Sequence, residues 1–264
     1  MSYLSWLLLV SGSFAVIEFL KPARKAQPHL RPQLTNDLFY LVFNGHLWAV
    51  LTGGLIGALA TRTDSLMKGA SVFPTVDLLT GKSLIVQFVV YLLISDFLQW
   101  CVHNLLHRVP FLWNFHKVHH SIHQMDWAGN FRFHWMELVV YKSLLYIPLL
   151  FLGGEPEPLF AVAVFATAWG HFNHANFDVG IGPLAYLFNS PRMHLWHHDS
   201  SSEGGLGKNY GIVLSCWDYL FRTAYWPKDR EPGRLGYPHD DEMPRDIPRQ
   251  MLFPALPSKV AEDG

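Results

Sequence analysis

Charge is scarce in this sequence. Only 16% of its 264 residues are Asp, Glu, Lys or Arg, against about 25% in ordinary soluble proteins, while half are hydrophobic. That argues against a freely soluble globular enzyme. The 20 Lys and Arg nearly balance the 21 Asp and Glu, for a net charge of -1, so there is no basic field to hold a nucleic-acid backbone. Cysteine is nearly absent. Cys101 and Cys216 lie far apart without a CxxC, which excludes a disulfide framework, a zinc ribbon and a thiolate-bound iron–sulfur cluster. Neither Glu-x-x-His nor His-Glu-x-x-His occurs, which removes the soluble four-helix di-iron carboxylate design and the zincin type of protease. Also missing are the glycine fingerprint of a flavin or nicotinamide site and a CxxCH haem attachment, so electrons for any redox chemistry must come from elsewhere. What the chain has in excess is histidine, 15 residues, concentrated between residues 103 and 198.

Long apolar runs come next. Tyr3 to Leu20 holds one charge, Glu18, and is followed by Lys21, Arg24, Lys25 and Arg31; with no small-residue cleavage site behind it, the run reads as a retained first span rather than a signal peptide. Leu38 to Ala60 is a second run, carrying Gly53, Gly54 and Gly57, whose spacing either lets another helix approach or reflects a glycine-tolerant membrane helix. Leu84 to Val102 is a third, interrupted by Asp96. Leu138 to Leu152 and Leu159 to Gly170 are shorter and are separated by Gly153 to Pro158, which predicts a helical hairpin. The expected fold is all-α: an integral-membrane helical bundle of about four spans, or spans plus a hairpin, with a His-rich helical cap. Four basic residues after the first span place that loop on the cytoplasmic side, and the His-rich segments 103–137 and 171–264 with it. No repeat or linker separates a second domain; the expected organisation is membrane spans and loops over 1–83, a catalytic region over 84–225 and a soluble tail over 226–264 that wraps the surface.

The histidines repeat at helical offsets. His103 and His107 are i,i+4; His116, His119 and His120 follow i,i+3,i+4, and His194, His197 and His198 do the same. On a helix each set shares one face. With 15 histidines in 264 residues, one H-x2-HH is expected about 0.05 times by chance, so two copies are not noise. Imidazole suits iron, zinc, copper and nickel, which leaves the element open. Eight histidines in these sets, with His171 and His174 beside them, exceed what a single zinc uses and suit a pair of metals.

At the level of motifs, the order Asp96, His103-x3-His107, His116-x2-His119-His120, Arg132-x-His134-x2-Glu137, His174-Ala175-Asn176, His194-x2-His197-His198, Lys208-Asn209-Tyr210-Gly211 and Trp217-Asp218 resembles the fatty acid hydroxylase/sterol desaturase superfamily of integral-membrane di-iron enzymes, over roughly residues 90 to 225. The resemblance implies that His103, His107, His116, His119, His120, His194, His197 and His198 are metal ligands. His174 completes the set, with His171 one residue out of the more usual spacing. It implies two iron ions, for which zinc can substitute in preparations, O2 as oxidant, a lipid substrate, and a separate electron donor of cytochrome b5 or ferredoxin type. Around these, His134 and Glu137 share a helix face at i,i+3 and are expected to brace the site rather than ligate. Asp96, ionisable within a span, and Asp199 are candidates to accept the second ring N–H of a ligand histidine. His123 is expected at the surface or behind the ligands, His29, His46 and His239 carry no assigned chemistry, and Asn209 to Gly211 with Trp217 and Asp218 are expected to shape the fold. The implied reaction is hydroxylation or desaturation of a lipid C–H bond. Alternatives are a lipid ether monooxygenase or a zinc-loaded hydrolase on the same fold, and a His-rich membrane metal transporter.

Overall fold

The computed structural model describes residues 1–48, 50, 51, 54, 76–201 and 207–255. Nine of the 23 residues of the Leu38 to Ala60 run, including Gly53 and Gly57, lie outside them. The described residues are helical, with no strand beyond two isolated bridges, Phe188 with Leu214 and Asp199 with Leu235.

Among the described residues two helices are long and apolar enough to cross a membrane: α1 (Tyr3–Leu20) and α3 (Leu84–Arg108). Their starts are capped, Ser2 accepting from Ser5 N and Ser83 from Val86 N, which satisfies amides that have no partner inside the helix. At 25 residues α3 is about 37 Å long. Both helices turn large apolar side chains outward, Leu8, Leu9, Val16 and Phe19 from α1 and Leu84, Ile85, Val89 and Leu93 from α3. Between them runs α2 (Leu34–Val42), continued by a π turn, Phe43–Leu47.

Proline sets the next corner. Pro110 forces Val109 into extended geometry (φ −94°, ψ 112°), because its ring clashes with a helical predecessor. Helix α3 therefore stops at Arg108, and α4 (Pro110–His120) starts with Pro110 in its first turn and folds back on α3. After a 3₁₀ turn (Trp127–Phe131), α5 (Trp135–Leu150) and α6 (Pro156–His174) cover the two short apolar runs and are joined by a short turn. Gly153 sits at φ +70° in that turn, and a Cβ on Gly154 would lie 2.5 Å from the Tyr91 hydroxyl, so the connection needs both glycines. Helix α3 packs against α4, α5 and α6, and α1 packs along α6. Short helices α7 (Pro191–His197) and α8 (Cys216–Leu220) close over the end of this bundle.

The C-terminal segment is built into the body. Tyr237 and Met243 join Tyr40 and Val118 in one buried cluster, and Leu235 joins Ile122, Met125 and Leu195 in another. The backbone of α9 (Ile247–Leu252) is gripped at Met251, whose carbonyl accepts from both His134 Nε2 (2.8 Å) and Trp135 Nε1 (2.9 Å). A second anchor is ionic. Arg31 donates to Asp37 (2.5 Å) and to both oxygens of Asp126 (2.6 Å), and Arg132 donates to the other oxygen of Asp37. All four residues are buried, so each charge depends on its partner: removing one partner of such a pair costs about 3–5 kcal/mol.

Candidate metal centre

The fold brings four helices to one point. Helix α3 presents His103 and His107, α4 presents His116, His119 and His120, α6 ends on His174, and α7 supplies His194 and His197 with His198 at its C-cap. The nine imidazoles divide into two groups, His103, His107, His116, His120 and His197 in one, and His119, His174, His194 and His198 in the other. Within each group the nearest ring atoms all lie within 4.8 Å of one another. The groups adjoin, since the rings of His120 and His198 stack at 4.4 Å. The i,i+3,i+4 pattern explains the division: in α4, His119 faces one group while His116 and His120 face the other.

Ring orientation is set from behind. In the five-histidine group His103 Nδ1–H donates to the Tyr210 carbonyl (2.8 Å), His116 Nδ1–H to Glu137 (2.9 Å) and His197 Nδ1–H to the Lys208 carbonyl (2.8 Å). A nitrogen that donates there leaves Nε2 as a lone pair. In the four-histidine group only His174 is held this way, by the Gly170 carbonyl (2.8 Å).

Whether these residues fit metal ions can be read from what their nitrogens do. Nε2 of His174 lies 3.4 Å from Nε2 of His119 and 3.1 Å from that of His194, which lies 3.2 Å from that of His198. A metal about 2.0–2.1 Å from each nitrogen would set neighbouring ligands about 3.0–3.4 Å apart, so the four nitrogens have the spacing of a coordination shell. In the other group Nε2 of His116 and His197 and both nitrogens of His107 and His120 are buried without a partner. Buried polar atoms ordinarily find partners, and so many orphans in one place call for a cation. The charge state agrees. Burial, reinforced by neighbouring imidazoles, holds His116, His119, His120, His194, His197 and His198 well below the ordinary histidine pKa, so at neutral pH they are uncharged and their lone pairs are free.

The other predicted residues fall in several places. Glu137, fully buried, accepts from His116, and it is the one carboxylate that hydrogen-bonds a grouped histidine among the described residues. His134 caps α5, accepting from Met136 N (3.1 Å), and ties down the C-terminal segment, which is the helix-fixing role. His123 is half exposed and donates to Asp240 (3.0 Å).

Three expectations need correction. His171 belongs to neither group: its Nδ1 pairs with the Trp127 carbonyl (2.9 Å) and its Nε2 with Ser11 Oγ (3.0 Å), so one nitrogen ties α6 to the 3₁₀ turn and the other ties it to α1. At i−3 from His174 it points to another sector of the helix end. Asp96 orients no histidine; it accepts from Val213 N (2.9 Å), Leu214 N (3.1 Å) and Trp217 Nε1 (2.9 Å), fixing the loop behind the site. Asp199 does not reach His198, because its Oδ2 accepts from Ser201 and its Oδ1 has no partner.

Sequence reasoning missed the backbone acceptors, the carbonyls of Gly170, Lys208 and Tyr210, since carbonyls leave no letter in a sequence. The nearest signal was the Lys208 to Gly211 motif. Its Asn209, at φ +52°, donates to the Met193 and Tyr225 carbonyls (2.9 and 2.7 Å), and Asp218 accepts from Tyr210 N, Gly211 N, Trp100 Nε1 and Thr223 Oγ1. Those bonds fix the two carbonyls that orient His197 and His103. Also missed was the packing partner of His119, the Phe133 ring, stacked at 4.6 Å.

The chain is 37% identical to the ornithine lipid hydroxylase OlsE of Rhizobium tropici over 142 residues, 53% of this chain and 42% of that protein. It is 30% identical to human alkylglycerol monooxygenase over 161 residues, 60% of this chain and 35% of that protein. It is 22% identical to the rice very-long-chain aldehyde decarbonylase GL1-10 (Oryza sativa subsp. japonica) over 218 residues, 79% of this chain and 69% of that protein. The chain thus spans less than half the length of the first two relatives. No solved structure matches it. The sequence model of the fatty acid hydroxylase family matches residues 88–223, which contain all nine grouped histidines, Glu137 and Asp218, and the chain belongs to that family.

Proposed function

We propose that this protein is a membrane-bound di-iron oxygenase that hydroxylates a C–H position of a lipid. The observation that carries the reading is the convergence of nine imidazoles, eight of them buried and most with an unpartnered nitrogen, in two adjoining groups at the ends of apolar helices. His103, His107, His116, His120 and His197 would hold one iron, and His119, His174, His194 and His198 the other. Bound there, the iron pair supplies reductive activation of O2 and the power to take hydrogen from an unactivated carbon. The overall balance is R–H + O2 + 2 e⁻ + 2 H⁺ → R–OH + H2O.

The chain's own residues do the rest. The Tyr210 and Lys208 carbonyls and Glu137 keep Nδ1 of His103, His197 and His116 protonated and leave their Nε2 lone pairs to hold a metal. Glu137 also accepts the Nδ1 hydrogen bond of His116, which makes that ligand more basic. The buried aromatic and aliphatic surroundings keep bulk water away, which protects an oxidising site from side reactions. Outward-facing Leu and Val on α1 and α3 suit a bilayer, and an apolar chain could reach the site laterally from it. On this reading the bundle crosses the membrane about four times with the His-rich end cytoplasmic, where a separate cytochrome b5 or ferredoxin type donor would deliver the two electrons. The alkylglycerol monooxygenase relatives favour a second reading on the same site, in which the hydroxylated carbon is the one beside an ether oxygen.

The test is metal content and Mössbauer spectroscopy on anaerobically purified protein in detergent. About two coupled irons per chain, falling in His119→Ala and His197→Ala, are expected. A single zinc, or iron binding indifferent to both substitutions, would overturn the assignment. A lipid screen with O2 and a reductant then separates ordinary hydroxylation from ether cleavage by product.

A further inference from the structure

Outside the metal centre, the described residues enclose one more cavity of chemical interest. About 330 Å³ in volume, it is walled by Arg31, Gln33, His123, Arg132, Asp240 and Arg245. That is near the lower end of small-molecule sites, about 300–1,000 Å³. It is close to the metal centre along the chain: Ser121 on its wall follows His120, and Arg132 precedes Phe133, whose ring stacks on His119.

Its electrostatics are lopsided. The cations on or just behind the wall are Arg31, Arg132, Arg234 and Arg245, and the carboxylates that meet them are Asp37, Asp126 and Asp240. Within these ion pairs one arginine is left without a carboxylate; Asp241 and Glu242, next to Asp240 in the same turn, are exposed. The surplus is Arg245, whose side chain is exposed and has no ion pair among the described residues, while its backbone carbonyl is tethered by Asn36 Nδ2 (2.8 Å). Arg132 donates only through Nε to Asp37 and through its two terminal nitrogens to the Gln33 side chain and carbonyl; a guanidinium has more N–H groups than that. A buried cation with unspent donors beside a cavity is suited to an oxyanion. Gln124, on the same wall, has a buried amide oxygen with no partner, which suits an O–H or N–H donor next to that oxyanion.

We propose that this cavity is a head-group subsite: it takes the polar head of a lipid bearing a phosphate or carboxylate flanked by a hydroxyl or amine. The proposal rests on the reading of the substrate as a lipid, and it gives that lipid a polar end and a direction. With the head held by Arg132 and Arg245, the chain attached to it starts on the histidine side of α4, and the distance from head to metals selects which carbon is attacked.

Binding, rather than turnover, tests it. Calorimetry on the full-length protein in detergent would use sn-glycerol 3-phosphate, glycerol, inorganic phosphate and dihexanoyl phosphatidic acid as probes. Glycerol 3-phosphate should bind and glycerol should not. Arg245→Glu should weaken glycerol 3-phosphate at least about tenfold, as expected for loss of a charge-assisted contact, and added salt should weaken it in the parent. His123→Gln, a milder change at an exposed position, should give a smaller loss. Dihexanoyl phosphatidic acid should bind more tightly than inorganic phosphate. Equal binding of parent and Arg245→Glu, or no binding by any anion, overturns the subsite. Phosphate binding as tight as the acylated compound overturns the lipid-head assignment and leaves an anion site. A protein that binds these heads but holds no iron would refute the oxygenase reading while leaving the subsite standing.

Discussion

The two histidine groups use the same side chain in adjoining space, yet the protein treats them differently. In the five-histidine group three rings are pinned from behind, by the Tyr210 carbonyl, the Lys208 carbonyl and the Glu137 carboxylate. In the four-histidine group only His174 is pinned, and Nδ1 of His119, His194 and His198 has no partner. A pinned imidazole has its tautomer and direction chosen before a metal arrives, whereas an unpinned one must be ordered by the metal. The first group is therefore preorganised and the second is adaptable, so a metal entering the empty protein should prefer the first.

The largest effect follows directly. Anaerobic Fe2+ titration of the metal-free protein should show two phases, the first equivalent tighter than the second by about 10–100-fold, the range seen when outer hydrogen bonds are removed. His198→Ala should abolish the weaker phase and spare the tighter one, and His120→Ala should do the reverse. Two equal phases would refute the distinction. Acid tests what the two groups share, their burial. The folded-state pKa values of His116, His119, His120, His194, His197 and His198 are depressed by burial, so below about pH 6.5 the unfolded chain binds protons that the folded chain refuses. The metal-free protein should lose stability as pH falls through that range, by up to about 1.4 kcal/mol per imidazole per pH unit. Denaturant titrations at pH 7.5 and 5.5 check this, and unchanged stability between them would mean that the imidazoles are not buried as described.

Much of this site is legible in the sequence because α-helical spacing is a strong constraint. His116, His119 and His120 must share a face whatever the tertiary fold, and the same holds around His194. The helix break at Val109 is equally local, dictated by Pro110. What cannot be read is which face meets which. His171 and His174 differ by one turn of α6, yet one reaches the histidine group while the other bonds Ser11 and Trp127, a choice made by the packing of α1 against α6. Asp96 looked like a partner for histidine because an acid in an apolar run needs donors; it found them in the amides of Val213 and Leu214, more than a hundred residues away. The salt-bridge network of Arg31, Asp37, Asp126 and Arg132 was invisible for the same reason.

Glu137 sharpens the comparison further. Its carboxylate is the one side-chain oxygen that hydrogen-bonds a grouped histidine among the described residues, and it serves the five-histidine group alone. Glu137→Gln keeps the shape and can still accept from His116 Nδ1 but replaces the carboxylate with a weaker amide acceptor. The tighter phase should weaken about tenfold, the weaker phase should be unaffected, and Mössbauer spectra should show one iron changed and the other not. A uniform change in both irons would mean that Glu137 acts by general destabilisation.

Asp218 offers the smallest and most specific effect, because it acts two steps away from the nitrogen that it controls. Its carboxylate accepts from Tyr210 N (2.9 Å), Gly211 N (2.8 Å), Trp100 Nε1 (3.0 Å) and Thr223 Oγ1 (2.6 Å), and the Tyr210 carbonyl then accepts from His103. Asp218→Asn replaces one acceptor oxygen with an NH2 group facing backbone N–H donors, at a cost of about 1–3 kcal/mol in stability. The Tyr210 loop should loosen and His103 should lose its fixed direction, lowering metal affinity in the five-histidine group by a few fold, while four bound partners remain. Asp218→Glu, which restores the charge but not the reach, should recover less than full affinity. If instead Asp218→Asn lowers stability and both metal phases alike, the carboxylate only holds the fold together, and the preorganisation of His103 lies in the packing of Trp100 and Tyr210, whose rings meet edge to face at 6.4 Å.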